Sequence, residues 1–176
     1  GWDITDFGQG DFAKTGLSLI TIRNGNLQAP EKYPKTYAEK LLMLLDGQRV
    51  PMHFHVHKME DIINRGGGTL LIRVYNSDRN GGLSDGDVLA RCDGQARIVR
   101  AGTQIRLELG QSLSITRFMY HDFSVVPGTG TVLIGEVSSV NDDKTDNRFY
   151  EPVGRFPEIE EDEKPYRLLC GEYPGV

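Results

Sequence analysis

Cysteine is scarce in this sequence of 176 residues: it occurs only at Cys92 and Cys170, and in no motif spacing. Two isolated cysteines supply neither a disulfide framework nor the paired thiolates of a zinc knuckle, so a reducing, cytoplasmic location is predicted. Long apolar runs are also missing, since no stretch approaches the roughly 20 residues that a membrane helix needs. No charged-then-apolar leader is present. The sequence therefore predicts no membrane partner.

Basic residues are outnumbered, with 20 Lys and Arg against 25 Asp and Glu and a formal net charge of −5. A nucleic-acid partner is not expected, because no basic stripe is available to neutralise phosphates. The hydrophobic fraction of 38% and the charged fraction of 26% are ordinary for a globular protein. A chain of this length predicts one domain over residues 1–176.

Strand signals dominate the chain, and helix signals are few. The 21 glycines lie mostly between short apolar runs, a pattern typical of strands joined by tight turns. Segments rich in strand-favouring residues are 15–23, 69–75, 103–109 and 131–137. Many short strands at regular spacing predict an all-β sandwich or barrel of the jelly-roll type, which commonly leaves a cavity at one end.

Two of these segments carry finer predictions. In 103–109 the alternation predicts that Ile105, Leu107 and Leu109 face the core. Segment 35–45 has helical propensity, but a turn and another strand follow it at once. A strand is therefore preferred there over a helix, with Leu41, Met43 and Leu45 forming one of its faces.

Histidine is rare and clustered, since three of the four histidines lie within the five residues HFHVH. On a strand, His53, His55 and His57 would project to one face, because side chains repeat every two residues. Glu60 follows closely and can return to the same ion if the strand turns. The remaining histidine, His121, would complete a shell of three imidazoles and one carboxylate. Such ligands suit Mn²⁺, Fe²⁺, Co²⁺, Ni²⁺ or Zn²⁺.

The spacing of these residues resembles the first motif of the cupin superfamily. Gly47, His53-x-His55, Glu60 and Gly67 fill every marked position of that motif. The resemblance implies a cupin β-barrel with minor helix.

The second cupin motif is only partly matched. Gly110 and His121 stand at the expected separation, whereas Thr116, Phe118 and Val125 replace a proline, a glycine and an asparagine. These departures concern the local turn geometry more than the ligand His121.

The spacing favours His53, His55, Glu60 and His121 as the metal ligands. An alternative set in which His57 replaces His53 is chemically possible. For His57 itself, a place in the pocket wall close to the metal is preferred, and a hydrogen-bonded core histidine is the other possibility.

Longer stretches resemble the bacterial D-lyxose isomerases, which are cupin-type sugar ketol-isomerases. They are PMHFHVHKMEDIINRGGGTL, NDDKTDNRFYEPVGRFPEIEEDE and YRLLCGEYP, together with GWDITDFGQGDF near the start. In that family the stretch similar to GWDITDFGQGDF follows a helical N-terminal arm, which is expected to be absent here.

The resemblance implies interconversion of D-lyxose with D-xylulose, and of D-mannose with D-fructose. The implied cofactor is one divalent ion, with Mn²⁺ as first choice, which polarises the sugar carbonyl. Proton transfer through a cis-enediol is preferred over a hydride shift.

Proton transfer needs a second carboxylate near the metal. Glu151 is preferred, because apolar neighbours would raise the pKa of a buried carboxyl group. Glu136 is the other candidate. Lys58 is expected to donate a hydrogen bond to a sugar oxygen or to assist proton transfer, unless it is simply solvated. Arg155 and Asp143 are predicted to recognise sugar hydroxyls.

Three other functions remain open from the sequence. They are a mononuclear iron dioxygenase, a non-catalytic sugar-binding cupin, and a cupin-type phosphosugar isomerase. A neutral sugar is favoured over a phosphosugar, because Arg73, Arg91 and Arg97 are scattered and form no phosphate cradle. A homodimer is expected, because pairing is one way to cover exposed sheet edges.

Overall fold

The computed structural model describes residues 1–143, 145–154, 164 and 166–169, and within these ranges the chain forms strands and no helix. The strands are β1 (Trp2–Thr5), β2 (Leu17–Arg23), β3 (Tyr37–Leu44), β4 (Arg49–His55), β5 (Glu60–Gly67), β6 (Leu70–Asn76), β7 (Val88–Cys92), β8 (Gln95–Val99), β9 (Gln104–Leu107), β10 (Ser112–Ile115), β11 (Met119–Val125), β12 (Val132–Ser139) and β13 (Asn147–Phe149). The expected minor helix is therefore wrong for the described residues. With no helix there, no described segment can cross a membrane as a long apolar helix.

Two antiparallel sheets make up the sandwich. The larger sheet has the strand order β1-β2-β3-β12-β5-β10-β7-β8, and the smaller has the order β13-β4-β11-β6-β9. Alternate residues of both sheets bury apolar side chains between them, and this burial is the main force that holds the layers together. The all-β, two-sheet prediction is confirmed.

In two strands, the residues that face the core differ from those predicted for segments 103–109 and 35–45. Ile105 and Leu107 are buried, but Leu109 is 70% exposed because β9 ends at Leu107 and the chain then turns at Gly110, whose φ is +85°. Segment 35–45 is a strand, as preferred. Its buried face contains Ala38, Lys40, Leu42 and Leu44, so Leu41 and Met43 point to the other side.

The glycine positions of the cupin motifs adopt the backbone that those motifs require. Gly67 has a φ of +90°, and a side chain there would collide with the backbone oxygen of Thr131. Phe118, which stands where the second motif has a glycine, has a φ of +61°. Its backbone N–H donates to the His55 carbonyl at 3.0 Å. Phe118 thus adopts the left-handed backbone conformation that favours glycine, although it has a side chain.

Candidate metal centre

Three histidines meet on the inner face of the smaller sheet. His53 and His55 point inward from β4, and His121 lies opposite His53 on the neighbouring strand β11. All three are buried, with exposures of 7%, 3% and 0%. One nitrogen from each ring lies within 4.8 Å of the others. This is the spacing expected of ligands around a single ion.

Backbone carbonyls fix the orientation of two of the rings. Nδ1 of His53 lies 2.8 Å from the Pro51 carbonyl, and Nδ1 of His121 lies 3.0 Å from the Met119 carbonyl. A carbonyl only accepts, so each Nδ1 must carry the proton and donate it. Each Nε2 therefore keeps its lone pair, which is the form that binds metals.

Glu60 closes the cluster from the opposite sheet. From the start of β5 its Oε1 lies 3.3 Å from Nε2 of His55 and 3.2 Å from Nε2 of His121. Within the described part of the chain, these two buried nitrogens make no aligned hydrogen bond. A carboxylate facing the lone pair of His121 Nε2 away from water is stabilised by a cation between them. The donor set therefore fits a divalent ion.

Burial favours the neutral form that a metal requires at His53 and His55. It lowers the pKa of His53 well below the ordinary value, and the charges of His121 and His55 lower it further. The pKa of His55 is also lowered by burial, although the Glu60 carboxylate opposes this. The neutral rings are therefore ready to act as ligands near neutral pH.

Lys58 joins Glu60 to a second buried carboxylate, Glu136. Its Nζ lies 2.7 Å from Glu60 Oε2 and 2.9 Å from Glu136 Oε1. Burial alone would lower the pKa of Lys58, but the two carboxylates outweigh it and raise that pKa. Burial would likewise raise the pKa of Glu60, yet Lys58 and the histidines lower it well below the ordinary value. Both groups are therefore charged.

A second lysine supports Glu136 from β3. Nζ of Lys40 lies 3.6 Å from Glu136 Oε1, 3.5 Å from Asp143 Oδ1 and 2.7 Å from Asn141 Oδ1. Nδ2 of Asn141 in turn donates to Asp143 Oδ2 at 2.7 Å. These contacts form one hydrogen-bonded network beside the metal ligands.

A cavity of about 70 Å³ lies over the cluster. Its polar wall consists mainly of the groups already described, with His53, His55, Lys58, Glu60 and Glu136 closest to the metal centre. Its apolar wall includes Phe7, Leu42, Val50, Phe123 and Phe149. The cavity thus offers donors and acceptors on one side and a water-excluding surface on the other.

Most of the predicted site residues converge on this cavity. His53, His55, Glu60, His121, Lys58, Glu136 and Asp143 lie in it or form its metal cluster. Arg155 lies outside the described residues, as does the acidic run at 158–163.

Two predicted residues lie elsewhere. His57 is exposed and lines a different surface depression, because β4 ends at His55 and the alternation stops there. The expectation that His57 shares a face with the other two histidines is therefore wrong. Glu151 is exposed, lining a depression with Arg49 and Asp122, so the expected burial among apolar residues is also wrong.

Sequence reasoning missed Lys40, Asn141 and Asp146, all of which belong to the polar network around Lys58. For Lys40 a signal existed, since it lies between Ala38 and Leu42 on the buried face of β3. An inward-facing charge on a strand needs a partner, which marks it as part of a site. Asn141 and Asp146 lie in a polar loop with no periodic signal.

The sequence profile of the D-lyxose isomerase family matches residues 1–173. The chain belongs to this family. It is 49% identical, over 98% of its length and 75% of the relative, to the D-lyxose/D-mannose isomerase of Serratia proteamaculans. It is 47% identical to the protein of the same name from Escherichia coli O157:H7, over 98% and 76% of the two chains. The family resemblance drawn from the motifs is confirmed.

Solved structures show the same fold at low sequence identity. The L-ribose isomerase of Cellulomonas parahominis superposes with a TM-score of 0.63 at 16% identity, covering 87% of this chain and 83% of the other. That of Acinetobacter sp. DL28 gives 0.60 at 16% identity, with coverage of 84% and 79%. At this identity the likeness concerns the fold alone.

Proposed function

We propose that this member of the D-lyxose isomerase family interconverts D-lyxose with D-xylulose, and D-mannose with D-fructose, using one divalent metal ion. The observation that carries the proposal is the pairing of two buried carboxylates through Lys58. One of them, Glu60, belongs to the metal cluster, and the other, Glu136, faces the same cavity. An aldose–ketose isomerisation needs both an electrophile and a base within reach of two adjacent carbons.

His53, His55, Glu60 and His121 are proposed to hold the ion. When bound, it supplies Lewis-acid polarisation of the sugar carbonyl. The orphaned Nε2 atoms of His55 and His121 support this assignment. Mn²⁺ is the proposed ion. Nitrogen and oxygen ligands also suit Co²⁺, Fe²⁺, Ni²⁺ and Zn²⁺ and do not discriminate strongly among these ions.

Glu136 is proposed as the base that takes the C2 proton and returns it to C1 through a cis-enediol. It is 4% exposed and borders the cavity, and both of its lysine contacts are made to Oε1. Within the described residues Oε2 has no such contact, which leaves one carboxylate oxygen for the substrate. Lys58 remains protonated and is proposed to donate a hydrogen bond to a sugar oxygen.

A neutral sugar is proposed as the substrate rather than a phosphosugar. The lysines that line the cavity are Lys40 and Lys58, and both are bonded to carboxylates. A phosphate group would have to displace those carboxylates to gain a cationic partner. Asp143 and Asn141 are proposed to recognise sugar hydroxyls, and Arg155 keeps that role as a prediction.

A homodimer is also proposed, and the outer face of the larger sheet supports it. Met43 and Leu133 are paired across β3 and β12 and are 44% and 42% exposed, and Ile20 on β2 is 52% exposed. Contiguous exposed apolar side chains on a sheet mark a surface that pairing would cover.

The test is to remove metal with a chelator, restore single ions, and incubate the protein with D-lyxose, D-mannose, glucose 6-phosphate and mannose 6-phosphate. Ketose is expected from the two neutral sugars only, and only after metal is restored. Oxygen-dependent turnover with iron would instead indicate a dioxygenase. Binding of sugar without ketose formation would indicate a non-catalytic cupin.

A further inference from the structure

Asp146 holds the turn between β4 and β5 from a distant part of the chain. It is 3% exposed and lies just before β13. Its Oδ1 accepts the backbone N–H of His57 at 2.7 Å, and its Oδ2 accepts that of Lys58 at 3.0 Å. Its own carbonyl accepts the N–H of Val56 at 3.2 Å. Three consecutive backbone donors of the turn therefore end on one residue.

No other described residue accepts these three N–H groups. The turn is also held at Met59, whose carbonyl accepts the N–H of Ser139 at 3.0 Å, but the three N–H groups before Met59 depend on Asp146. Asp146 does not border the cavity and is not placed to touch a substrate. Its effect must pass through the turn that it holds.

The turn carries the side chain that joins the two site carboxylates. Lys58 must keep its Nζ at 2.7 Å from Glu60 and 2.9 Å from Glu136 at the end of a long, flexible side chain. Ordering a lysine side chain costs rotamer entropy. A fixed Cα position limits the arrangements from which Nζ can reach both carboxylates.

We propose that Asp146 is a positioning residue of the isomerase reaction, which sets the Lys58 ammonium between the metal ligand Glu60 and the base Glu136. This inference rests on the proposed function, because it assigns Lys58 a place next to the reacting sugar. This role requires both carboxylate oxygens of Asp146, because each accepts a different backbone N–H group. Asparagine at this position would keep one acceptor and present an NH₂ group to the second N–H.

A double-mutant cycle on the metal-loaded enzyme tests the proposal, with Asp146→Asn, Lys58→Met and the combined variant assayed on D-lyxose. Asp146→Asn is expected to lower kcat by about tenfold, with little change in KM. A loss of this size is within the range of interaction energies measured between contacting residues. In the Lys58→Met background the same substitution is expected to cause no further loss. Additive losses would overturn the proposal and indicate a merely structural aspartate.

Asp46 provides the matched control. Its carboxylate also accepts backbone N–H groups from a distant turn, those of Gly128 at 2.9 and 3.0 Å and Gly130 at 3.3 Å. It lies in the turn before β4, whereas His53 and His55 lie at the other end of that strand. Asp46→Asn is expected to leave kcat unchanged and to show no coupling to Lys58→Met. An equal coupling at Asp46 would contradict the inference.

A second measurement does not depend on activity and separates this inference from the proposed function. The full-length variants are treated with an amine-acetylating reagent, and labelling at Lys58 is followed by mass spectrometry. Asp146→Asn is expected to label Lys58 several-fold faster than the wild type does, while Asp46→Asn does not. Lys40, which is buried on β3, is expected to stay protected and reports that the protein remains folded. Unchanged protection of Lys58, or equal labelling of Lys40, would overturn the proposal even if no sugar is converted.

Discussion

At the scale of single residues, the contacts of Lys58 and Glu60 distinguish the possible roles of the two buried carboxylates. Lys58 lies between Glu60 and Glu136 and is buried with them. A lysine whose pKa is raised is a donor and not a base. Glu136, which borders the cavity and does not contact the histidines, is therefore the proposed base.

Glu136→Gln is expected to reduce kcat by about 10²–10⁴-fold, the usual contribution of a general base, while metal content is retained. Because the amide cannot accept the C2 proton, exchange of the C2 hydrogen with solvent should be lost as well. Proton NMR of the sugar in D₂O measures this exchange.

Glu151→Gln is the companion variant for that experiment. Glu151 is exposed in another depression, so exchange should continue at the wild-type rate. Loss of exchange in Glu151→Gln together with its retention in Glu136→Gln would give the base role to Glu151.

At the scale of elements, the end of β5 depends on one buried side chain. Asn64 is fully buried, and its Nδ2 donates to the carbonyls of Gly68 at 3.0 Å and Leu107 at 2.9 Å. Its Oδ1 accepts the N–H of Gly66 at 3.0 Å. These bonds fix the bend that carries Gly67 past β12, where the register shifts.

Asn64→Ala is expected to lower the free energy of unfolding by roughly 3 kcal/mol, because two buried carbonyls and one N–H lose their partner. Urea denaturation with a shared slope measures the change. Asn26→Ala is the control, since exposed Asn26 also accepts two backbone N–H groups and should cost less than about 1 kcal/mol. Equal losses at the two positions would contradict this assignment.

At the scale of the whole molecule, the proposed metal ligands come from both layers of the sandwich. His53, His55 and His121 belong to the smaller sheet, whereas Glu60 belongs to the larger. An ion held by all four would link the sheets in the native state only. Its binding free energy would therefore add to the stability of the fold.

Adding Mn²⁺ to chelator-treated protein is expected to raise Tm, with about 2.7 kcal/mol of stabilisation at an ion concentration 100 times Kd. His121→Ala should abolish most of this shift because it removes one ligand from the smaller sheet. His57→Ala should leave the shift unchanged, because His57 is exposed and outside the cluster. Differential scanning calorimetry measures the shift, and a loss of the shift in His57→Ala would instead favour the alternative ligand set.

The sequence by itself determined the all-β class and the family, and it identified the residues proposed as metal ligands. Strand alternation and ligand spacing are local properties, so Gly47, His53, His55 and Glu60 identify their motif without any knowledge of the fold. His121 followed because no other histidine was left.

Only the tertiary structure decided where each strand ends, and with it the alternation of inward and outward side chains. It also decided which polar residues come into contact. His57 and Leu109 leave the inward face because β4 and β9 end just before them. Lys40, Glu136 and Asn141 come together because β3 pairs with β12 and the loop after β12 turns back over Lys58. Such contacts join residues about a hundred positions apart in the sequence. A pair of charged residues at that separation produces no periodic pattern from which the contact could be predicted. The proposed base and the residue proposed to position Lys58 could therefore be identified only from the folded chain.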